Sequence, residues 1–263
     1  MIDVLKITNK YRDEIFNLYN TGFNTSNIYN LINKHRISRL QKILPFLRKN
    51  HVKKGSLRNV EAYILYSLIK EFKIQNILDI GTGNGFSSLI CAKALKGIDL
   101  VKKKITTIDL VDRVKDFKLK KIFSDLDLIN YVDFKIGDSH EVLKNNIQGI
   151  DKFDLVIIDG YHSYNHVKIE LNLIKKFLSQ KSIIFFDDIF KDKEKSIYEA
   201  MIEFKNENNG SMVIIDTRFY DTFDFKEDRD DINRKFQKWK LNKYHYINVE
   251  NPKNKSALIF INF

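Results

Sequence analysis

Ile77-Leu-Asp-Ile-Gly-Thr-Gly-Asn-Gly-Phe86 is the stretch of this 263-residue chain whose reading decides the fold. A short apolar run carrying Asp79 meets three alternating glycines, Gly81, Gly83 and Gly85. An apolar segment from Ser87 to Leu95 follows with the character of a helix. The pattern reads as a strand, a tight turn and a helix N-terminus. Glycine lets the backbone adopt positive φ and approach a ligand closely, and a helix start offers unpaired N–H groups. The dinucleotide fingerprint G-x-G-x-x-G needs a third glycine at position 86, where Phe86 stands instead. The spacing here is G-x-G-x-G led by an acid. A pyrophosphate has no use for that acid, whereas a ligand bearing an ammonium group does.

Downstream, Ile105-Thr-Thr-Ile-Asp109 is a β-branched run ending in an acid. Asp109 falls roughly 20–25 residues past the glycine turn, where a carboxylate can hold both ribose hydroxyls. Tyr131-Val-Asp-Phe-Lys-Ile-Gly-Asp138-Ser139 reads as a third strand, Phe153-Asp-Leu-Val-Ile-Ile-Asp159-Gly160 as a fourth, and Ser182-Ile-Ile-Phe-Phe-Asp187-Asp188 as a fifth. Each strand carries its polar residues at its C-terminal end, the edge where open α/β sheets bind ligands.

The glycine turn and the ordered strand-end acids resemble the class I S-adenosylmethionine-dependent methyltransferases. The resemblance implies an α/β fold: a Rossmann-like, doubly wound, mostly parallel seven-stranded sheet with an N-terminal helical extension. It places the cofactor, S-adenosylmethionine, against Asp79, Gly81, Thr82, Gly83, Gly85, Phe86 and Ser87. Asp109 then holds the ribose with Leu110 beside it in the cofactor set, Asp138 and Ser139 meet the adenine, and Asp159 closes the site. Read from the residues alone, Asp138 also suits a cap for a helix over Ser139 to Lys144.

Asp159-Gly-Tyr-His162-Ser-Tyr164 resembles the D-G-x-H-[ST]-Y segment of small-molecule and sugar O-methyltransferases, among them metal-dependent macrolide-sugar enzymes. The resemblance covers about residues 55 to 190. It implies Asp159, Asp187 and Asp188 as ligands of Mg²⁺ or Mn²⁺, and His162 as general base. All-oxygen donors suit those ions better than zinc. Chemistry accounts for such a set. The leaving thioether is neutral, so the hydroxyl nucleophile is the hard part. Its pKa of about 15 against about 6.5 for histidine is a gap of roughly 12 kcal/mol if alkoxide forms first. A bound divalent ion lowers that gap and leaves the base a smaller task. Asp187 and Asp188 also suit a helix cap, His162 a water-binding helix start, and Ser163 an N-cap. His140 and His166 read as structural or exposed, and Tyr161 and Tyr164 as pocket or packing residues.

Composition agrees with a soluble globular protein. The chain is 43% hydrophobic and has no apolar run near the ~18 residues a bilayer span needs. No secretory signal is legible at Met1-Ile-Asp-Val-Leu-Lys. One cysteine, Cys91 on the apolar helix, points to a core position and a reducing, cytoplasmic setting. The net charge of +11 is carried mostly by lysines scattered among Asn and Ile, with no interleaved aromatic signature for RNA. Residues 1–55 read as an N-terminal helical extension and 56–263 as the catalytic domain. Ile15, Leu18 and Tyr19 share one helix face, as do Ile37, Leu40 and Leu44. Asn24 to Asn27 reads as a turn between them and Val60 to Phe72 as the first helix of the domain. Met212 to Ile215 and Ala257 to Phe263 read as the last two strands, separated by the charged and aromatic segment Arg218–Tyr246 with a helix expected over Asp231 to Leu241. The expected acceptor is a small-molecule or sugar hydroxyl, with no membrane partner. The N-terminal helices suit either a pocket cover or a homodimer surface. A protein or nucleic-acid acceptor, and a non-catalytic cofactor-binding subunit, are the competing readings.

Overall fold

A computed structural model describes residues 2–21, 23, 28, 31, 57–99, 104–116, 118–145, 147, 152–189, 196–216 and 255–263. The readings on 24–27, on Ile37 to Leu44 and on Arg218–Tyr246, including the helix over Asp231 to Leu241, lie outside the described residues.

Helices α1 (Val4–Lys10), α2 (Arg12–Asn20) and α3 (Asn59–Phe72) precede strand β1 (Asn76–Ile80). Strand and helix then alternate: α4 (Phe86–Lys96), β2 (Lys104–Asp109), α5 (Arg113–Asp116), α6 (Leu119–Asp125), β3 (Val132–Ile136), α7 (Ser139–Asn145), β4 (Phe153–Ile158), α8 (Tyr164–Ile174), β5 (Leu178–Phe186) and α9 (Ile197–Glu207). Strands β6 (Ser211–Asp216) and β7 (Lys255–Ile261) follow. The seven strands form one sheet in the order β3-β2-β1-β4-β5-β7-β6. β1 to β5 pair in parallel, and β7 runs antiparallel between β5 and β6. This is the expected mostly parallel, doubly wound sheet.

The alternation within each strand decides which layer it feeds, because successive side chains point to opposite faces. Leu155 and Ile157 join one core with Ile77, Ile105 and Phe185, against α3 and α4. Val156 and Ile158 join the other with Leu78, Ile108, Ile184 and Phe186, against α7, α8 and α9. Both faces are covered, so the central strands read as near-continuous apolar runs. Each fully buried Leu, Ile or Phe contributes roughly 1.5–3 kcal/mol. Cys91 is buried in the first of these cores.

The N-terminal helices are tied to α3 by polar contacts. Lys10 Nζ and the Tyr11 hydroxyl both donate to Glu71, at 2.6 and 3.0 Å. Tyr66 donates to Glu14 at 2.8 Å. Ile15 and Leu18 are buried beneath them. Among the described residues no helix is long and apolar enough to cross a membrane.

The chain winds outward from β1 through β2 to β3, then returns to the other side of β1 as β4. That reversal leaves a crevice at the C-terminal ends of β1 and β4, the place where open sheets of this type bind ligands.

Candidate active site

The glycine turn after β1 has the backbone its sequence demands. Gly81 sits at φ +101°, and a Cβ there would lie 2.3 Å from the Asp159 carbonyl oxygen. Only glycine lets the end of β1 pass the end of β4 so closely. Gly85, at φ +82°, forms the N-cap of α4.

Asp79 lies under this turn. Its side chain is fully buried, and one carboxylate oxygen accepts the hydroxyls of Ser87 at 2.8 Å, Ser88 at 2.5 Å and Thr107 at 3.4 Å. The other oxygen has no partner. Burial pushes the carboxyl up to about 6, against the lowering effect of the three hydroxyls. Thr82 is also buried, its hydroxyl 2.7 Å from that of Thr107, and Phe86 and Ser87 are buried in the first turn of α4. These residues brace the turn from beneath, and none of them borders the cavity above it.

That cavity, of about 370 Å³, is bordered by Gly81, Gly83, Asp109, Leu110, Asp138, Ser139 and Asp159 from the expected cofactor set. It is also bordered by Tyr161, read from the sequence as a pocket or packing residue, and by Gly160, His166 and Glu170, which the sequence reading left out of the site. Asp109 accepts the N–H of Gly83 at 2.9 Å on one oxygen and that of Val111 at 3.1 Å on the other. Leu110 is 69% exposed, an apolar ledge at the mouth. Asp138 caps α7, accepting the N–H groups of His140 at 2.9 Å and Glu141 at 3.3 Å through one oxygen. The capping reading of Asp138 therefore holds, and the same residue still borders the cavity.

Beside the cavity, the ends of β4 and β5 bring acids together. The Asp187 N–H donates to Ile158 O at 3.1 Å, which continues the parallel ladder to the strand tips. Burial and the neighbouring Asp187 carboxylate hold the Asp159 carboxyl far above the usual range. Asp187 is raised by burial and by Asp188. Glu61, from α3, is buried with them and raised by burial and by Asp187, although Arg58 opposes the shift. The Glu61 carboxylate accepts the Arg58 backbone N–H at 2.7 Å and lies 3.7 Å from its guanidinium. One oxygen each of Glu61 and Asp187 is buried without a hydrogen-bond partner. His162 Nε2 lies 3.8 Å from Asp159 Oδ1. Ser163 caps α8, its hydroxyl accepting the His166 N–H at 3.4 Å. Asp188 turns the chain at φ +47°.

Asp159, Asp187 and Asp188 do not form a group whose donor atoms all lie within 4.8 Å. Among the described residues the group that does is His140, His166 and Glu170. Glu61 and Glu170 both sit on helix faces otherwise apolar, and an acid on such a face was a sign of them in the sequence. The i, i+4 spacing of His166 and Glu170 was a sign the sequence reading did not use, whereas His140 gave none because it meets them from a different helix.

Residues 78–189 match the family described as "Methyltransferase domain". No curated protein matches the sequence. Solved structures similar to this one include the O-methyltransferase TomG from Streptomyces achromogenes, involved in tomaymycin synthesis and in complex with SAM. It is 13% identical, with 88% of this chain and 89% of that chain covered and a TM-score of 0.56. The O-methyltransferase from Bacillus cereus in complex with SAH is 12% identical, covering 85% and 90%, with a TM-score of 0.56. A methyltransferase from Geobacter sulfurreducens is 14% identical, covering 89% and 87%, with a TM-score of 0.53. At such identities the structures speak to the fold, and the family match speaks to the segment carrying the glycine turn and every strand-end acid. Residues 78–189 are thus similar to a methyltransferase domain, and they sit in a sheet that shares its fold with solved methyltransferases.

Proposed function

We propose that the enzyme methylates a hydroxyl oxygen of a small molecule or sugar, with His162 as general base and a divalent cation beside it. The observation that carries this reading is the position of His162, 3.8 Å from the strand-end carboxylate of Asp159, next to the cavity that Asp159 borders. A base must stand where the acceptor proton leaves. The solved O-methyltransferases that share the fold favour the same class of acceptor.

In this reading the sulfonium cofactor lies across the glycine turn. Asp109 holds the ribose hydroxyls. Leu110 packs against the adenine, and Asp138 and Ser139 meet its edge. Asp79 acts from below: its carboxylate fixes the first turn of α4 and places negative charge under the methionine end. His162 takes the acceptor proton as the methyl group passes from sulfur to oxygen.

The donor chemistry at the strand ends fits a hard cation. Carboxylates crowd there with raised pKa values, and one buried Asp187 oxygen has no partner. Asp159 and Asp187 would hold Mg²⁺ or Mn²⁺, with Asp188 adjacent. When bound, such an ion lowers the pKa of a hydroxyl that it touches and orients the acceptor. The buried Cys91 fits a reducing, cytoplasmic setting.

The test is turnover with S-adenosylmethionine over a panel of sugar and catechol-like hydroxyl acceptors. His162→Ala should lower kcat by about 100-fold or more while leaving S-adenosylhomocysteine affinity nearly unchanged. Asp187→Asn should lower kcat and remove any dependence on Mg²⁺. Full turnover in both variants would overturn the assignment.

A further inference from the structure

The geometry points to a second, chemically different metal site in the wall of the cofactor cavity: a transition-metal ion of the Zn²⁺ class held by His140, His166 and Glu170. One donor atom from each of the three lies within 4.8 Å of the others. His166 and Glu170 are i and i+4 on α8, so one face of the helix presents both. His140 comes from the first turn of α7, and its ring stacks on that of His166 with centroids 4.0 Å apart.

Three details favour a bound ion over a packing cluster. First, Glu170 is fully buried, and one of its oxygens is buried without any hydrogen-bond partner. Its other oxygen accepts the Ser139 hydroxyl at 2.5 Å and stands 3.1 Å from His166 Nε2. An unpaired carboxylate oxygen in the interior is a poor resting state, and a cation corrects it. Second, Glu170 Oε1 stands 3.1 Å from His166 Nε2, a separation that two donors each about 2.0–2.1 Å from one ion can have, with the unpartnered Oε2 on the same carboxylate free to join them. Third, His140 Nε2 lies 3.2 Å from the His166 carbonyl oxygen. A carbonyl only accepts, so Nε2 carries the hydrogen and Nδ1 carries the lone pair. A ring whose other nitrogen donates to a backbone carbonyl has the outer-shell bond typical of metal-ligating histidine.

Two imidazoles and one carboxylate select Zn²⁺, Co²⁺ or Fe²⁺ over Mg²⁺, which separates this site from the all-oxygen acids at the ends of β4 and β5. His166 and Glu170 border the cavity, so a fourth position would face the ligand space. The ion would pin the start of α7, and with it Asp138 and Ser139, to α8. It is a staple across the adenine end of the site, separate from the methyl-transfer chemistry.

The test is calorimetric titration of the full-length, chelator-stripped protein with Zn²⁺, repeated with Co²⁺ to record its visible spectrum. One equivalent should bind, and Co²⁺ should show the spectrum of nitrogen and oxygen donors. His140→Gln and Glu170→Gln should each weaken binding by about 100-fold or more, while Asp187→Asn should not. Retained S-adenosylhomocysteine binding would show that His140→Gln, a partly exposed position, is folded. Absence of saturable binding by the wild type would overturn the proposal. So would binding that survives both variants, or binding lost instead in Asp187→Asn. None of these outcomes depends on turnover, so they leave the methyl acceptor question separate.

Discussion

The backbone N–H of Gly83 donates to a carboxylate oxygen of Asp109 over 2.9 Å, joining the glycine turn after β1 to the end of β2. Asp109 therefore fixes the shape of the turn that borders the cavity. Hydrogen bonds to charged groups contribute about 1.5–3 kcal/mol each. Asp109→Ala should weaken S-adenosylhomocysteine binding by about 10- to 100-fold in calorimetry. An unchanged affinity would remove Asp109 from the site.

Gly81→Ala tests the close approach of β1 and β4. The added Cβ would meet the Asp159 carbonyl at 2.3 Å in a backbone region that L-residues rarely adopt. Loss of at least about 3 kcal/mol in urea unfolding is expected, together with loss of cofactor binding. A variant as stable as the wild type would mean that the strand ends can separate.

Asp79 makes a prediction in pH. Its carboxyl is pushed from 3.8 to about 6 in the folded protein, chiefly by burial. The folded state thus holds this proton more tightly than the unfolded chain. The stability it contributes is complete below about pH 3.8, fades as pH rises through about 6, and is gone above that. The stability of the wild type relative to Asp79→Asn should therefore fall by about 2 kcal/mol from about pH 4.5 to about pH 7.5. Urea midpoints of both proteins at the two pH values check it. A difference that does not change with pH would place the Asp79 proton elsewhere.

Tyr164 ties α8 to α9. Its hydroxyl reaches both Glu203 oxygens at 2.8 Å, and Lys168 donates to the same carboxylate at 2.7 Å. Tyr164→Phe should cost about 1 kcal/mol of stability with kcat unchanged. A large fall in kcat at full stability would instead make Tyr164 part of the acceptor pocket.

Strand ends were the legible part of this molecule. Asp109, Asp138, Asp159 and Asp187 could be placed because a parallel strand has one ligand-facing end and the sequence marks it. The parallel pairing of the sheet followed from alternating strands and helices, and β6 and β7 were visible as apolar runs. Depth was less legible. Asp79 reads like its neighbours in a motif, yet Ser87, Ser88 and Thr107 enclose it, and the distance between a turn and the floor beneath it is not encoded in spacing. His140, His166 and Glu170 escaped for a related reason. Periodicity reports which face of a helix is apolar and is silent on which second helix meets it, so a stacked pair 26 positions apart leaves no local trace. Glu61 is hidden in the same way, an acid of α3 that matters only because β5 ends beside it.

The strand that sits between β5 and β6 is synthesised after both of them. As the chain leaves the ribosome, at roughly 5–20 residues per second, β5 has β4 to pair with, but β6 has no neighbour until residues 255–261 emerge. The facing edges of β5 and β6 stand exposed during that interval, each a template for pairing with another molecule. Nascent chains at high concentration should cross-pair at this seam, and chaperones that cover strand edges should bind there first.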